Sequence, residues 1–216
     1  MKRFFDTDPT RWTSQHEKLH IYAIPPEPLR ELAAEYHDVM REHGHLISTQ
    51  PPQWLHVTVQ LIDRHLADLT GEDLEALIAT LDVDLSGTPA FTLTMGPPVI
   101  GVHSVGFRSL PPTMAFTVLV DRCRVAIADV LGEAAIAPEG AQQKPHASLG
   151  YGVADGDSDS LIGALNALTY AASRDSTPIT FAVDRVHLVA VDQDLAEGRY
   201  TWRSLATFPL RPAITR

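Results

Sequence analysis

Two short apolar runs constrain this chain more than anything else in it. Trp54-Leu55-His56-Val57-Thr58-Val59-Gln60-Leu61-Ile62 and Pro145-His146-Ala147-Ser148-Leu149-Gly150-Tyr151 each read as a strand, and in each a histidine is followed two positions later by a hydroxyl residue. Side chains at i and i+2 of a strand emerge on one face, so His56 shares a surface with Thr58 and His146 shares one with Ser148. The two copies stand about 90 residues apart, and a fold that uses both must bring distant strands together.

The surrounding chain repeats an order as well. Residues 19–24 read as a first strand, ended by Pro25-Pro26, because proline removes a ladder donor and restricts its predecessor. A helix opening near Pro28 places Leu29, Leu32, Ala33, Tyr36, Val39 and Met40 on one stripe and stops at Gly44. After the His56 strand, Thr70-Gly71-Glu72-Asp73 caps a helix whose buried face is Leu74, Leu77, Ile78 and Leu81. Residues 91–95 form a strand closed by Gly96-Pro97-Pro98, and 99–110 hold one or two more, bent at Gly101 and Gly106. The second succession begins after Pro111-Pro112 with a strand at 115–120 and a helical segment at 121–131. A loop at 132–144 delivers the His146 strand. A helix at 161–172 follows, then strands at 179–183 and 185–191 joined near Asp184, a turn at 192–198 and a last strand at 200–210.

Strand faces and helix stripes both need covering, and the simplest solution is two α/β lobes with helices outside and a cleft between the inner sheet faces. No polar linker separates the lobes, so 1–216 reads as one domain of two intimately packed lobes, preceded by an aperiodic N-terminal arm at 1–18. Phe4, Phe5 and Trp12 are the arm residues that would pack on the body.

A formal net charge of −10 argues against a broad grip on duplex nucleic acid, yet leaves room for a small basic cleft that takes one phosphate. No apolar run approaches the ~20 residues of a membrane span. The N-terminus leads into polar sequence, and the single Cys123 excludes a disulfide framework. These features predict a cytoplasmic protein that binds no membrane.

Histidine titrates near neutrality. Two of them flanking one centre can divide proton transfer, one withdrawing a proton from water or a hydroxyl and the other donating to the leaving oxygen. Thr58 and Ser148 are neutral donors suited to the non-bridging oxygens of a phosphoryl group. Lys144, Arg108, Arg122 and Arg185 are candidate cations, while Trp54, Tyr22 and Tyr151 are candidate stacking surfaces for a base or ribose. No Asp, Glu or Cys alternates onto the His56 or His146 face, so neither a metal site nor a cofactor is expected. Cys123 reads as a helix-core residue. His20 and His187 lie in strands and read as structural residues beside the site. His37, His43 and His45 belong to the first helix and its end, and His16, His65 and His103 have no motif.

At His56-Val57-Thr58-Val59 and His146-Ala147-Ser148-Leu149 the chain resembles the 2H phosphoesterase superfamily, whose signature is a pair of His-x-Thr/Ser-apolar tetrapeptides. More narrowly it resembles the LigT-like proteins described as 2'-5' RNA ligases or RNA 2',3'-cyclic phosphodiesterases, over residues 19–210. The resemblance implies a bilobal, pseudo-twofold α/β (α+β) fold, with two antiparallel-rich sheets lining a central cleft, helices on the outer faces and no metal. It implies that His56 and His146 are the acid/base pair and that Thr58 and Ser148 hold the phosphate. It also implies hydrolysis of a ribose 2',3'-cyclic phosphate to a 2'-phosphate, with His56 as acid and His146 as base, or the reverse joining of 2'-5' ends. The longer N-terminal arm and the lack of dense Arg/Lys after Gly140 favour a small nucleotide or an RNA end over polymeric RNA, handled by a monomer. The competing reading is a non-catalytic nucleotide- or RNA-end-binding protein that keeps the two-histidine cleft.

Overall fold

Prolines and caps set where the elements begin. The computed structural model describes residues 1–5, 12, 14–137, 144–172 and 178–212. In it the chain runs β1 (Lys18–Ala23), α1 (Glu27–Glu42), β2 (Val57–His65), α2 (Gly71–Ser86), β3 (Phe91–Ile100) and β4 (Ser104–Leu110). It continues through α3 (Met114–Leu131), β5 (His146–Tyr151), α4 (Asp159–Ala172), β6 (Ile179–Val183), β7 (Arg185–Asp194) and β8 (Arg199–Pro209). Pro28 lies in the first turn of α1, where its missing N–H is harmless. Thr70 and Asp73 close a reciprocal capping box at the start of α2.

The strands form two four-stranded antiparallel sheets, in the orders β2-β1-β7-β8 and β5-β4-β3-β6. Each histidine-bearing strand is thus a sheet edge with the equivalent neighbour, β1 or β4, beside it, and the two edges β2 and β5 lie against each other. The chain has the expected pseudo-twofold α/β architecture. The halves nevertheless exchange parts. β3 and β4 leave the first half for the second sheet, and β7 and β8 return to complete the first. Helix α1 packs against α4 and β5, with Tyr36 edge-on to Phe107 of β4 at 5.9 Å, while α3 packs against α2 and β2.

Two sequence expectations are corrected. Residues 115–120 are helical: β-branched and aromatic composition suggests a strand, but Phe116, Leu119, Val120, Cys123, Ala126 and Ile127 repeat at helical spacing and are all buried, so α3 absorbs both segments. Gly96-Pro97-Pro98 does not close β3. The strand continues to Ile100 through a register shift between Met95 and Pro98, an irregularity where missing proline donors are tolerated. A smaller difference lies at the β7–β8 hairpin, where β7 extends to Asp194 and shortens the turn.

One continuous core spans both sheets, from Leu19, Ile21, Val57 and Val59 to Phe107, Ala147 and Leu149. A separate cluster covers the other face of the first sheet, where Tyr22, Val189 and Val191 meet Trp12, Ile24, Tyr200 and Trp202. The segment after α1 stitches the lobes: Ser48 donates its N–H to the Tyr151 carbonyl at 2.9 Å, and Gln50 donates its N–H to Leu149 at 2.7 Å. Gly150 is obligatory at this seam, because a Cβ there would stand 2.0 Å from the Ser48 carbonyl oxygen. Among the described residues, no helix is long and apolar enough to cross a membrane.

Candidate active site

Strand alternation places the two motifs on matching surfaces. Val57 and Val59 point into the common core, as do Ala147 and Leu149, so His56, Thr58, His146 and Ser148 face the other way. His56 immediately precedes β2 and follows a single 3-10 turn, Pro52–Trp54. The two rings are held alike. His56 Nδ1 lies 2.8 Å from the Trp54 carbonyl oxygen, and His146 Nδ1 lies 3.1 Å from the Lys144 carbonyl oxygen, each two residues upstream. A carbonyl only accepts, so Nδ1 carries the proton in both rings and Nε2 is left with the lone pair.

The surroundings differ between the halves. Tyr22, the β1 partner of Thr58, stacks face to face on His56, with centroids 4.0 Å apart and planes at 8°. Tyr200 stands edge-on to the same ring at 6.4 Å. Burial therefore holds His56 down to about 4; the Trp54 carbonyl opposes this and a charge on His146 adds to it. His146 is lowered as well, by burial first and by Arg108 second, with the Lys144 carbonyl opposing. In β4 the position equivalent to Tyr22 is Gly106, the partner of Ser148. A Cβ at Gly106 would stand 2.7 Å from the Ala147 carbonyl oxygen, so no ring covers Ser148 from that strand. Tyr22 pairs with Thr58 across β1 and β2, and Tyr151 ends the strand that carries Ser148. Both phenols are pushed above the ordinary tyrosine range by burial and stay protonated.

The remaining candidates divide clearly. Arg108 is the cross-strand partner of His146, and Lys144 supplies the carbonyl that orients it. Trp54 contributes through its backbone: the carbonyl that orients His56 also accepts from Gln50 Nε2 at 3.1 Å and Trp202 Nε1 at 3.0 Å. The Trp54 ring lies under the Arg199 guanidinium, 5.5 Å from its centroid. Tyr151 is buried against Phe4, Phe5 and Tyr200 and is a wall rather than an open platform. Two cations fall elsewhere. Arg122 bonds the Asp84 carbonyl between α2 and α3, and Arg185 pairs with Asp184 where the chain passes from one sheet to the other.

His20 is wholly buried behind Tyr22, with Nδ1 2.7 Å from the phenol oxygen. His187, the β7 partner of Tyr22, meets the Thr207 hydroxyl at 3.0 Å. His37 Nε2 donates to the Leu149 carbonyl at 3.1 Å and ties α1 to β5. Cys123 is buried in α3 and its thiol is raised. Gln50, Tyr200 and Trp202 escaped the sequence reading. Tyr200 and Trp202 carried a signal, two aromatics at i and i+2 of one strand, whereas Gln50 carried none. Among the described residues, no group of three or more His, Cys, Asp or Glu side chains is placed to hold a metal ion.

The family model for the 2'-5' RNA ligase superfamily matches residues 25–195, a span that contains both histidine strands. No curated protein matches the sequence. Among solved structures, TT0787 of Thermus thermophilus superposes with a TM-score of 0.66 at 18% identity, covering 90% of this chain and 98% of its own. E. coli LigT complexed with 3'-AMP gives 0.61 at 17% identity over 90% and 98%. A crystal structure described as a phosphoesterase gives 0.58 at 17% over 90% and 99%. LigT has also been solved with NADP+, phosphate and ATP. At these identities the likeness is one of fold.

Proposed function

Because the chain belongs to the 2'-5' RNA ligase superfamily, we propose that it is a phosphoesterase that opens a ribose 2',3'-cyclic phosphate, on a small nucleotide or an RNA end, to the 2'-phosphate by two-histidine acid/base catalysis. The observation that carries the reading is the paired placement of His56 and His146. Each commits Nδ1 to a backbone carbonyl, each has a hydroxyl on its own face, and a charge on His146 disfavours one on His56 across adjacent sheet edges.

In this reaction Nε2 of one neutral ring takes a proton from water as its oxygen attacks phosphorus. The bond from phosphorus to the 3' oxygen breaks, and the second ring, protonated, gives its Nε2 proton to that oxygen. Thr58 and Ser148 hold the non-bridging oxygens as charge builds on them, and Arg108 lies beside His146 as a cation for the same group. With a 5'-hydroxyl in place of water, attacking phosphorus as the bond to the 3' oxygen breaks, the same groups join 2'-5' ends. The family likeness gives His56 the acid role and His146 the base role. The deeper burial of His56, which keeps it neutral down to about pH 4, favours the opposite division in the free protein. A substrate whose leaving 3' oxygen is replaced by sulfur separates the two, since it restores turnover only to the variant that lacks the acid.

The small nucleotides bound by E. coli LigT support the substrate class. We place the activity in the cytoplasm, in a monomer. The test is turnover of the four nucleoside 2',3'-cyclic phosphates in the presence of EDTA. Loss in both His56→Ala and His146→Ala supports the reading, and unchanged turnover in both rejects it. Nucleotide binding without turnover on any cyclic or 2'-5' substrate selects the non-catalytic binding protein instead.

A further inference from the structure

One end of the cleft is closed by rings from the N-terminal arm, from β5 and from β8. Tyr151, at the end of the His146 strand, and Tyr200, near the start of β8, meet edge to face with centroids 5.3 Å apart. Phe4 lies 4.7 Å from Tyr151 and 6.3 Å from Tyr200, and Phe5 lies 5.4 Å and 5.2 Å from the same two rings. Trp12 adds a third arm residue, 5.8 Å from Tyr200. The cluster borders the reacting groups, because Tyr200 is also edge-on to His56 and Tyr151 shares its strand with Ser148.

The arm is held there by its backbone. Lys2 donates its N–H to the Val102 carbonyl at 2.7 Å and Phe4 donates its own to the Gly152 carbonyl at 2.8 Å, while the Arg3 carbonyl lies 3.0 Å from His103 Nδ1. Gly152 lets the arm approach, since a Cβ there would stand 2.1 Å from the Lys2 carbonyl oxygen. Among the described residues the His146 side is different. Arg108 and Lys144 are exposed beside it, and His146 itself is half-buried where His56 is buried. The phosphoryl site thus stands between an apolar wall and an open, basic side.

A 2',3'-cyclic phosphate and an internal 2'-5' linkage make different demands on such a site. The phosphorus of the first carries one nucleoside, and a single way out suffices. That of the second carries a nucleoside on each side, as does the product of joining two ends. We propose that Phe4 and Phe5 are specificity-determining residues that, with Tyr151 and Tyr200, close this end of the cleft. The site then takes a nucleotide, or a chain that terminates in a cyclic phosphate, admits water as the nucleophile and excludes the second nucleoside of a 2'-5' linkage. This rests on the cyclic-phosphate reading above and narrows it to hydrolysis. A fixed clash against the wrong substrate discriminates without any added contact to the right one.

The experiment compares two esters of adenosine 2'-phosphate by calorimetry, the methyl ester and the 2'-5'-linked dinucleoside with a second adenosine. They carry the same charge and differ only in what lies beyond the phosphate. The native protein should bind the dinucleoside at least about tenfold more weakly than the methyl ester. Phe4→Ala combined with Phe5→Ala should bring the two within about twofold, and so should Gly152→Ala, which displaces the arm without changing a ring. Both variants should still turn over nucleoside 2',3'-cyclic phosphates at the native rate. Equal affinity for the two esters in the native protein overturns the wall, as does a native preference that neither variant relaxes. Thermal melts identify a variant that has not folded, and the other then decides. A protein that excludes the dinucleoside yet turns over no cyclic phosphate defeats the proposed reaction and leaves the wall standing. One that binds neither ester overturns both.

Discussion

An imidazole covered on one face by a phenol and on its edge by another resists charge until an anion arrives. His56 is in that position, and its shift to about 4 predicts how the cleft meets its ligand. A bound anion raises the pKa of both histidines, so binding takes up protons, and affinity must increase as pH falls. Sulfate, which does not titrate in this range, should bind more tightly by up to about tenfold per pH unit per proton taken up between pH 8 and 5, as read by calorimetry. The same shift acts on stability. For His56 and His37 the folded value of about 4 lies below the unfolded 6.5, so the unfolded chain holds more protons between them. Stability is therefore full above pH 6.5 and declines as pH falls toward 4, by up to about 1.4 kcal/mol per pH unit per histidine. Denaturant titrations at pH 7 and 5 measure this, and His37→Gln should flatten the slope. Replacing His56 or His146 with Ala should lower kcat by about 10²–10⁴. These residues were legible because a strand of period two declares its faces. Gln50 was not, because a loop glutamine is indistinguishable from solvent-facing polar sequence until its partners, Trp54 and Tyr200, are in place.

Among the elements, α3 shows how local and tertiary preferences compete. Its first turns, Met114-Ala115-Phe116-Thr117-Val118-Leu119-Val120, have strand composition, yet the helical stripe continues without a break to Ile127 and packing against α2 and β2 prevails. The stripe, not the composition, should govern its mutants. Phe116→Ala should destabilise by about 3–5 kcal/mol, while Val118→Lys, on the exposed face, should change stability by no more than about 0.5 kcal/mol in thermal or denaturant melts. The seam beside β5 is less forgiving. Gly150→Ala brings a methyl group against the backbone of Ser48 and the Met40 side chain, and a loss of more than about 3 kcal/mol or failure to fold is expected. Nothing in the sequence marks Gly150 as obligatory, because its neighbour at Ser48 arrives from about 100 residues away.

Across the whole molecule, the duplicated order of elements was legible while their destinations were not. Hydrophobic alternation fixes which face of a strand is buried but says nothing about which strand it joins. Nothing in Phe91–Ile100 marks β3 for the second sheet, and nothing in Arg185–Pro209 marks β7 and β8 for the first. The exchange, the shared core and the stitched segment 46–50 together leave the jaws no axis on which to turn. Empty crystals should accordingly take up soaked nucleotide through their solvent channels without cracking. Small-angle scattering profiles with and without ligand should superimpose, so that whatever this protein rejects, it rejects by the fixed outline of its mouth.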